Sequence, residues 1–264
     1  MKLNVLSFSK LSLKIPINVI GLPVSVCHEG FTGELSSVID DCMRSKGIFL
    51  VLNMEHPCDD LRAGNGETLS TCIFENKYTD FDVYTASLRS PYRRRLKIAR
   101  KKGECLTWKE IPTKDFTEEM YSQYLQVLSH SDYPLETLEP SFFRMFDAKI
   151  FALYAGDKPL AFVQIKQTKD VLNFIFGGMD YEYRDKYDLY YNMLIKILQE
   201  GITACVKEID FGQTAEHAKL RIGCKLFPKY LCVFTRNKAL NFILVRISRL
   251  LSYKGIEEKY NASL

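Results

Sequence analysis

No Gly-x-Ser-x-Gly elbow, His-Glu-x-x-His pair, Gly-x-Gly-x-x-Gly turn or Walker loop occurs in this chain. Serine hydrolase, zincin, dinucleotide-binding and P-loop chemistries therefore have no motif to rest on. Histidine is scarce, at four residues, and the eight cysteines form no Cys-x-x-Cys pair, so neither a zinc site nor a disulfide framework is expected. The thiols sit mostly inside apolar runs and read as reduced core residues. No apolar run reaches the ~20 residues of a membrane span, and Met1–Lys14 mixes Lys2, Asn4, Ser7, Ser9 and Lys10 with its leucines instead of forming a signal-peptide core. The expectation is a cytoplasmic protein with no metal and no stable membrane insertion.

What is present is ample for a core: 47% of the 264 residues are hydrophobic, enough for one large domain or two packed ones. The net charge of +4 is mild, so any electrostatic role must come from local clustering. One cluster stands out. Arg93, Arg94, Arg95, Lys97, Arg100, Lys101 and Lys102 place seven cations within residues 92–102, beside an apolar stripe of Tyr84, Leu88, Tyr92, Leu96 and Ala99. Residues 81–102 read as a helix or helix pair, with Pro91 opening the second. Such a face can hold the phosphates of coenzyme A, a tRNA backbone or anionic lipid, or simply be solvated.

The amino-terminal 80 residues read as strands with breaks over 3–8 and 11–27, a helix over Leu35–Ser45, a buried strand over Ile48–Met54, a loop over Asp59–Glu67 and a strand over Leu69–Glu75. Helices follow at Phe116–Leu128 and Pro140–Phe146, and an amphipathic one at Ala239–Tyr253.

The organising stretch runs from Ile150 to Arg236. Ile150–Tyr154, Leu160–Lys166 and Val171–Gly178 are rich in β-branched and aromatic residues and are joined at hairpin spacing, which makes three antiparallel strands. Leu189, Met193, Leu194, Ile197, Leu198 and Ile202 recur at helical spacing. Ile209–Phe211 is a buried strand, Thr214–Ile222 a short helix and Phe227–Thr235 a further strand.

This order, with Asp210-Phe211-Gly212, Lys219 and Ile222-Gly223, resembles the acyltransferase domain of the GNAT superfamily, in the branch of the Fem-type peptidoglycan aminoacyltransferases and cellulose-biosynthesis-type acetyltransferases. Ala86-Ser87-Leu88-Arg89-Ser90 through Leu96 is similar to the Arg-rich helix that precedes the domain there. The resemblance covers roughly residues 80 to 236 and implies a mixed α/β sheet, with residues 1–80 as a partial, degenerate GNAT-like half and 81–264 as the acyltransferase domain. It implies an N-acyltransferase moving an acyl group from a thioester donor, acyl-coenzyme A, to a small-molecule or peptide amine. Aminoacyl-tRNA is the alternative donor, and a catalytically silent binding module the alternative function.

The Arg/Gln-x-x-Gly-x-Gly/Ala loop that holds the coenzyme A pyrophosphate in many GNAT enzymes is missing; Tyr181–Asp188 stands in its place. Gly178, Arg184, Lys186 and Tyr187 are then the cofactor-binding candidates, since a helix amino end with added cations attracts anions. Asp210 is the candidate to receive a proton from an amine, or else a helix cap. His217 is a candidate base near neutral pH, and Tyr190 a candidate proton donor or a core residue. Gly212, Lys219 and Arg221 are the substrate-binding candidates, although Gly212 equally suits a tight turn. Positioning alone can contribute about 7–11 kcal/mol to acyl transfer, against roughly 3–5 kcal/mol for a general base, so no triad is required.

Overall fold

A computed structural model describes residues 17–22, 28–131, 137–253 and 262. In chain order its strands are β1 (Ile17–Ile20), β2 (Ile48–Met54), β3 (Gly64–Glu75), β4 (Thr107–Ile111), β5 (Lys149–Ala155), β6 (Lys158–Thr168), β7 (Val171–Met179), β8 (Glu208–Asp210) and β9 (Lys225–Thr235). The helices are α1 (Leu35–Met43), α2 (Phe81–Ser87), α3 (Ser90–Lys102), α4 (Glu118–Ser129), α5 (Pro140–Met145), α6 (Arg184–Tyr187), α7 (Leu189–Thr203), α8 (Glu216–Arg221) and α9 (Lys238–Ile247). The chain divides into two compact units, residues 1–71 with 227–257, and 72–226 with 258–264.

In the first unit β1 runs parallel to β2, and β2 antiparallel to β9. Ile39 of α1 packs with Phe49, Val51, Met54, Cys232 and Phe234, and the rings of Phe49 and Phe234 stack at 5.6 Å. Of the strands expected over 3–8 and 11–27, only residues 17–20 are seen as strand; 1–16 and 23–27 lie outside the described residues. The loop expected over Asp59–Glu67 ends early, because β3 already begins at Gly64. Side-chain-free residues are needed there. A Cβ at Gly64 would lie 2.7 Å from the Val245 backbone of α9, and one at Gly66 would lie 3.0 Å from the Ser248 carbonyl oxygen. The glycines mark a close helix–strand approach and not a turn.

The second unit is a mixed sheet in which the end of β3 pairs with β8, and β8, β7, β6, β5 and β4 follow as neighbours. Every pairing is antiparallel except β7 with β8. Alternation along β5 and β6 assigns the two faces. Phe151, Leu153, Ala161, Val163 and Ile165 join the core that contains Leu96 and Ala99 of α3 and the apolar side of α7. Ile150, Ala152 and Phe162 join Phe116, Met120 and Tyr124 with Phe143 of α5. The helical region 81–102 is indeed a pair: α2 ends at Ser87, and α3 carries Pro91 in its first turn. The strand β4 was not expected, since Thr107-Trp108-Lys109-Glu110-Ile111 buries none of its five side chains fully and so lacks an apolar run.

Gly178 lies beneath α4. A Cβ there would sit 2.4 Å from a ring carbon of Phe162 and 2.6 Å from the Tyr124 backbone nitrogen. Gly178→Ala is expected to cost about 1–3 kcal/mol by overpacking, seen as a lower urea midpoint with unchanged slope; an unchanged midpoint would show that this packing is loose.

Candidate functional site

The pairing of β7 with β8 is short. It covers Val171–Asn173 against Glu208–Asp210 and stops there, while β7 continues to Met179 along β6. Two parallel neighbours thus part company at Asn173 and Asp210, on the carboxyl side of both strands, where open α/β sheets take their ligands. Immediately beyond the parting point β7 is bulged. Ile165 pairs with Phe174 and Gln164 with Phe176, so Ile175 is an extra residue with no opposite number. A bulge re-aims the backbone of its strand. Nothing in the alternation of Val171–Gly178 signalled it, because a one-residue insertion leaves the apolar composition untouched.

Across from the bulge, β8 runs into a tightly wound loop. Gly212, Thr214 and Ala215 have φ of 70°, 63° and 49°. For Thr214, a β-branched residue, this region is sterically costly, and each such non-glycine residue stores on the order of 1–3 kcal/mol. The loop is held from three sides. Asp210 Oδ1 accepts the Gly212 N–H at 2.8 Å, the Gly212 carbonyl accepts the Cys72 N–H at 3.0 Å, and Lys219 Nζ donates to the Gly212 and Gln213 carbonyls at 3.2 and 2.7 Å. Lys219 is 2% exposed and Asp210 5% exposed. The helix expected from Thr214 begins only at Glu216, because two consecutive left-handed residues precede it. Gly223, at φ 97°, closes α8 by donating to the Leu220 carbonyl, and Cys224 N–H reaches back to Lys219. Its glycine therefore serves the helix end.

The sequence candidates fall into three groups. Asp210, Gly212 and Lys219 meet in this buried cluster, within electrostatic reach of the Cys72 and Cys224 thiols. Burial pushes Cys72 up to about 11 against the pull of Lys219 and raises Cys224 well beyond its ordinary value, so both are thiols at neutral pH and not nucleophiles. Tyr190, half-buried in the first turn of α7, feels both thiols, and burial raises its phenol far above normal; it stays protonated. His217 and Arg221 belong to the second group and are exposed on α8.

The third group is the cofactor set. Arg184 and Lys186 are exposed on α6 and Tyr187 is half-buried; Arg184 forms a two-pronged pair with its neighbour Asp185. Lys186 lies over the Tyr187 ring at 4.7 Å. Gly178 is accounted for by α4 packing. At the amino end of α7, Asp188 has φ 53° and its carboxylate is clasped by both guanidinium nitrogens of Arg95, one at 2.7 Å. Arg95 also stacks 3.6 Å from the Tyr191 ring centroid. An anion of the protein's own thus sits where the helix amino end would favour one.

Glu216 was not singled out from the sequence, where an acidic residue in a first helical turn looks unremarkable. It is 3% exposed, and neither carboxylate oxygen has a hydrogen-bond partner.

The acetyltransferase (GNAT) domain model matches residues 86–220, just over half of the 264 residues, and the chain belongs to that family; its enzyme class is acyltransferase. Among solved structures, FemX superposes with a TM-score of 0.57 at 12% identity, covering 90% of this chain and 85% of that one. L-PGS from Bacillus licheniformis gives 0.53 at 11%, covering 82% and 77%. The C-terminal domain of an Agrobacterium fabrum protein assigned as a lysylphosphatidylglycerol synthetase gives 0.54 at 14%, covering 86% and 82%. A search of curated proteins finds no match.

Two consequences are measurable. Lys219→Met should destabilise the protein by about 2–3 kcal/mol, the loss of bonds from a charged donor, whereas an effect under ~0.5 kcal/mol would show that the loop holds itself. Burial raises Glu216 above its ordinary 4.5. A carboxyl raised by folding contributes no penalty below its unfolded pKa and an increasing one as pH rises through the folded value. Glu216→Gln should accordingly match the wild type near pH 4 and exceed it in melting temperature at pH 7; equal profiles would contradict the burial.

Proposed function

We propose that this chain is an N-acyltransferase whose donor is an aminoacyl ester carried on tRNA. The observation that carries the donor assignment is one face of α3. Arg94, Lys97 and Lys101 recur at helical spacing, are exposed, and form no ion pair among the described residues. An uncompensated cationic stripe of this kind suits a run of phosphates. The amino end of α7 supports the same choice, since the Arg95–Asp188 pair places a carboxylate where a pyrophosphate would have to bind.

One relative adds a chemical hint of the same sign. The Agrobacterium protein is named for a product in which a lysyl group is joined to phosphatidylglycerol. Acyl-coenzyme A remains the second reading, favoured by the family's own description as an acetyltransferase domain; Arg184 and Lys186, exposed on α6, would then meet its phosphates. In either case the donor carbonyl would lie along the bulged backbone at Ile175, with Asp210 and the 211–216 loop facing it, and the acceptor amine would enter from the loop side. Arg221 and His217, exposed on α8, would flank the entrance. Residues 1–80 are taken as a partial half of the same fold. β2 has its own bulge between Val51 and Met54, with Asn53 at φ 63°.

Fluorescence anisotropy with labelled aminoacyl-tRNA is expected to show binding that weakens steeply with salt. In the triple variant Arg94→Ala/Lys97→Ala/Lys101→Ala the slope of log K against log salt should fall by about 2–3. Saturable binding of coenzyme A or acetyl-coenzyme A with no binding of tRNA would overturn the donor assignment in favour of the second reading.

A further inference from the structure

The outward side of α9 is used neither by the site nor by the packing of its own unit. Its inner side is anchored. Asn241 accepts the Thr235 N–H at 2.8 Å and donates to the Arg62 carbonyl at 2.7 Å, and Val245 and Ser248 close over Gly64 and Gly66. Helical spacing puts 241, 244, 245 and 248 on that inner side and 242, 243, 246, 247 and 250 on the other. There Phe242, Ile243 and Ile247 are 60%, 53% and 37% exposed, and Leu250, in the short turn Ser248–Leu251 that follows α9, is 82% exposed. None of the ten side chains of α9 itself is buried.

Single exposed apolar residues are ordinary, but four large ones on one side of a helix make a patch. The charge around it narrows what can cover it. Arg236, Lys238 and Arg246 are exposed, and the Arg246 guanidinium lies 4.2 Å from the Phe242 ring centroid, which sets a cation on the rim of the apolar row. Residues 227–255 hold six Lys or Arg and no Asp or Glu. A second copy of this chain would bring the same cations against themselves, with no carboxylate in this stretch to offset them. An anionic surface with an apolar interior answers both features at once. With ten residues, α9 has about half the length of a membrane span, so it can lie along a bilayer but not cross it.

We infer that the outward face of α9 is a docking surface for an anionic lipid bilayer. Phe242, Ile243, Ile247 and Leu250 enter the boundary between headgroups and acyl chains. Lys238 and Arg246, with Arg236 just before the helix, meet lipid phosphates while their aliphatic stems stay along the apolar row. Attachment is peripheral and reversible, because its strength is the sum of a small apolar area and a few charges. Neither contribution suffices alone, which makes the binding sensitive to lipid charge and to salt. The inner side of the helix is left as it is, with Asn241 still holding the Arg62 and Thr235 backbone. The assignment does not depend on which acyl donor the protein uses.

The test is co-flotation of the full chain with vesicles of phosphatidylglycerol and phosphatidylcholine in equal parts, with vesicles of phosphatidylcholine alone as the control. Wild type should float with the anionic vesicles, bind the neutral ones about tenfold or more weakly, and be released by salt. Phe242→Ser/Leu250→Ser should keep the wild-type melting temperature, since both side chains are exposed, and lose about tenfold or more in affinity for the anionic vesicles. Lys238→Gln/Arg246→Gln should bind both kinds of vesicle with similar, weak affinity. The cations of α3 offer a separate route to anionic lipid, so Arg94→Ala/Lys97→Ala/Lys101→Ala is the discriminating variant and should float nearly as wild type does. No flotation of wild type, equal flotation with neutral vesicles, undiminished flotation of Phe242→Ser/Leu250→Ser, or flotation abolished in the α3 variant would each overturn the assignment. Sedimentation velocity without lipid should show a monomer; a dimer that Phe242→Ser/Leu250→Ser dissociates would overturn it in favour of a second copy on this face.

Discussion

The tether from Lys219 to the carbonyls of Gly212 and Gln213 is the interaction on which the site depends. It reaches back from the middle of α8 and pins a loop that would otherwise relax, since Thr214 and Ala215 both adopt backbone geometry that side chains disfavour. Pinning the loop delays α8 until Glu216, which puts that residue's carboxylate inside the cluster instead of on the protein surface. Had the helix begun at Thr214, the backbone path would place each of these side chains differently. One buried ammonium therefore sets the backbone, the helix start and the electrostatics together.

The sheet makes the complementary contribution. Because β8 is only three residues long, β7 loses its parallel neighbour after Asn173 and carries on with a bulge at Ile175. The bulged strand and the pinned loop are the two sides of one parting in the sheet. Both α3 and α7 are fixed to that same unit: Asn192 on α7 donates to the Ala99 carbonyl of α3 at 2.9 Å, and Arg95 clasps Asp188. The cationic stripe of α3 is thus mounted on a rigid support. Tyr84 of α2 adds a further brace through its hydroxyl to the Ile222 carbonyl at 2.8 Å.

Much of this was legible in the residues. The period-two runs of β5 to β7, the 189–202 apolar spacing of α7 and the Pro91 break between α2 and α3 carry local signals strong enough to survive packing. Asp210, Gly212 and Lys219 were picked out by the motif they form, but the bonds that tie them into one buried cluster were not legible in it. The rest was not encoded locally. A bulge changes register without changing composition, so Ile175 looked like any strand residue. The left-handed pair Thr214–Ala215 runs against both residues' own preferences and follows directly on the Gly212 and Gln213 carbonyls that Lys219 holds from further along the chain. The unpartnered state of Glu216 depends on what covers it, which no spacing rule reports. Gly64 and Gly66 looked like loop because glycine marks both turns and close approaches, and only the position of α9 distinguishes them.

The account's central claim is that acyl transfer takes place where β7 and β8 part. The most direct measurement is an amide chemical-shift map of the isotopically labelled protein with a hydrolysis-resistant 3′-aminoacylamido-adenosine. The account predicts that the largest perturbations fall on residues 174–177 of the bulged strand and 212–219 of the loop and α8. Perturbations confined to other segments, with both of these silent at saturation, would contradict it.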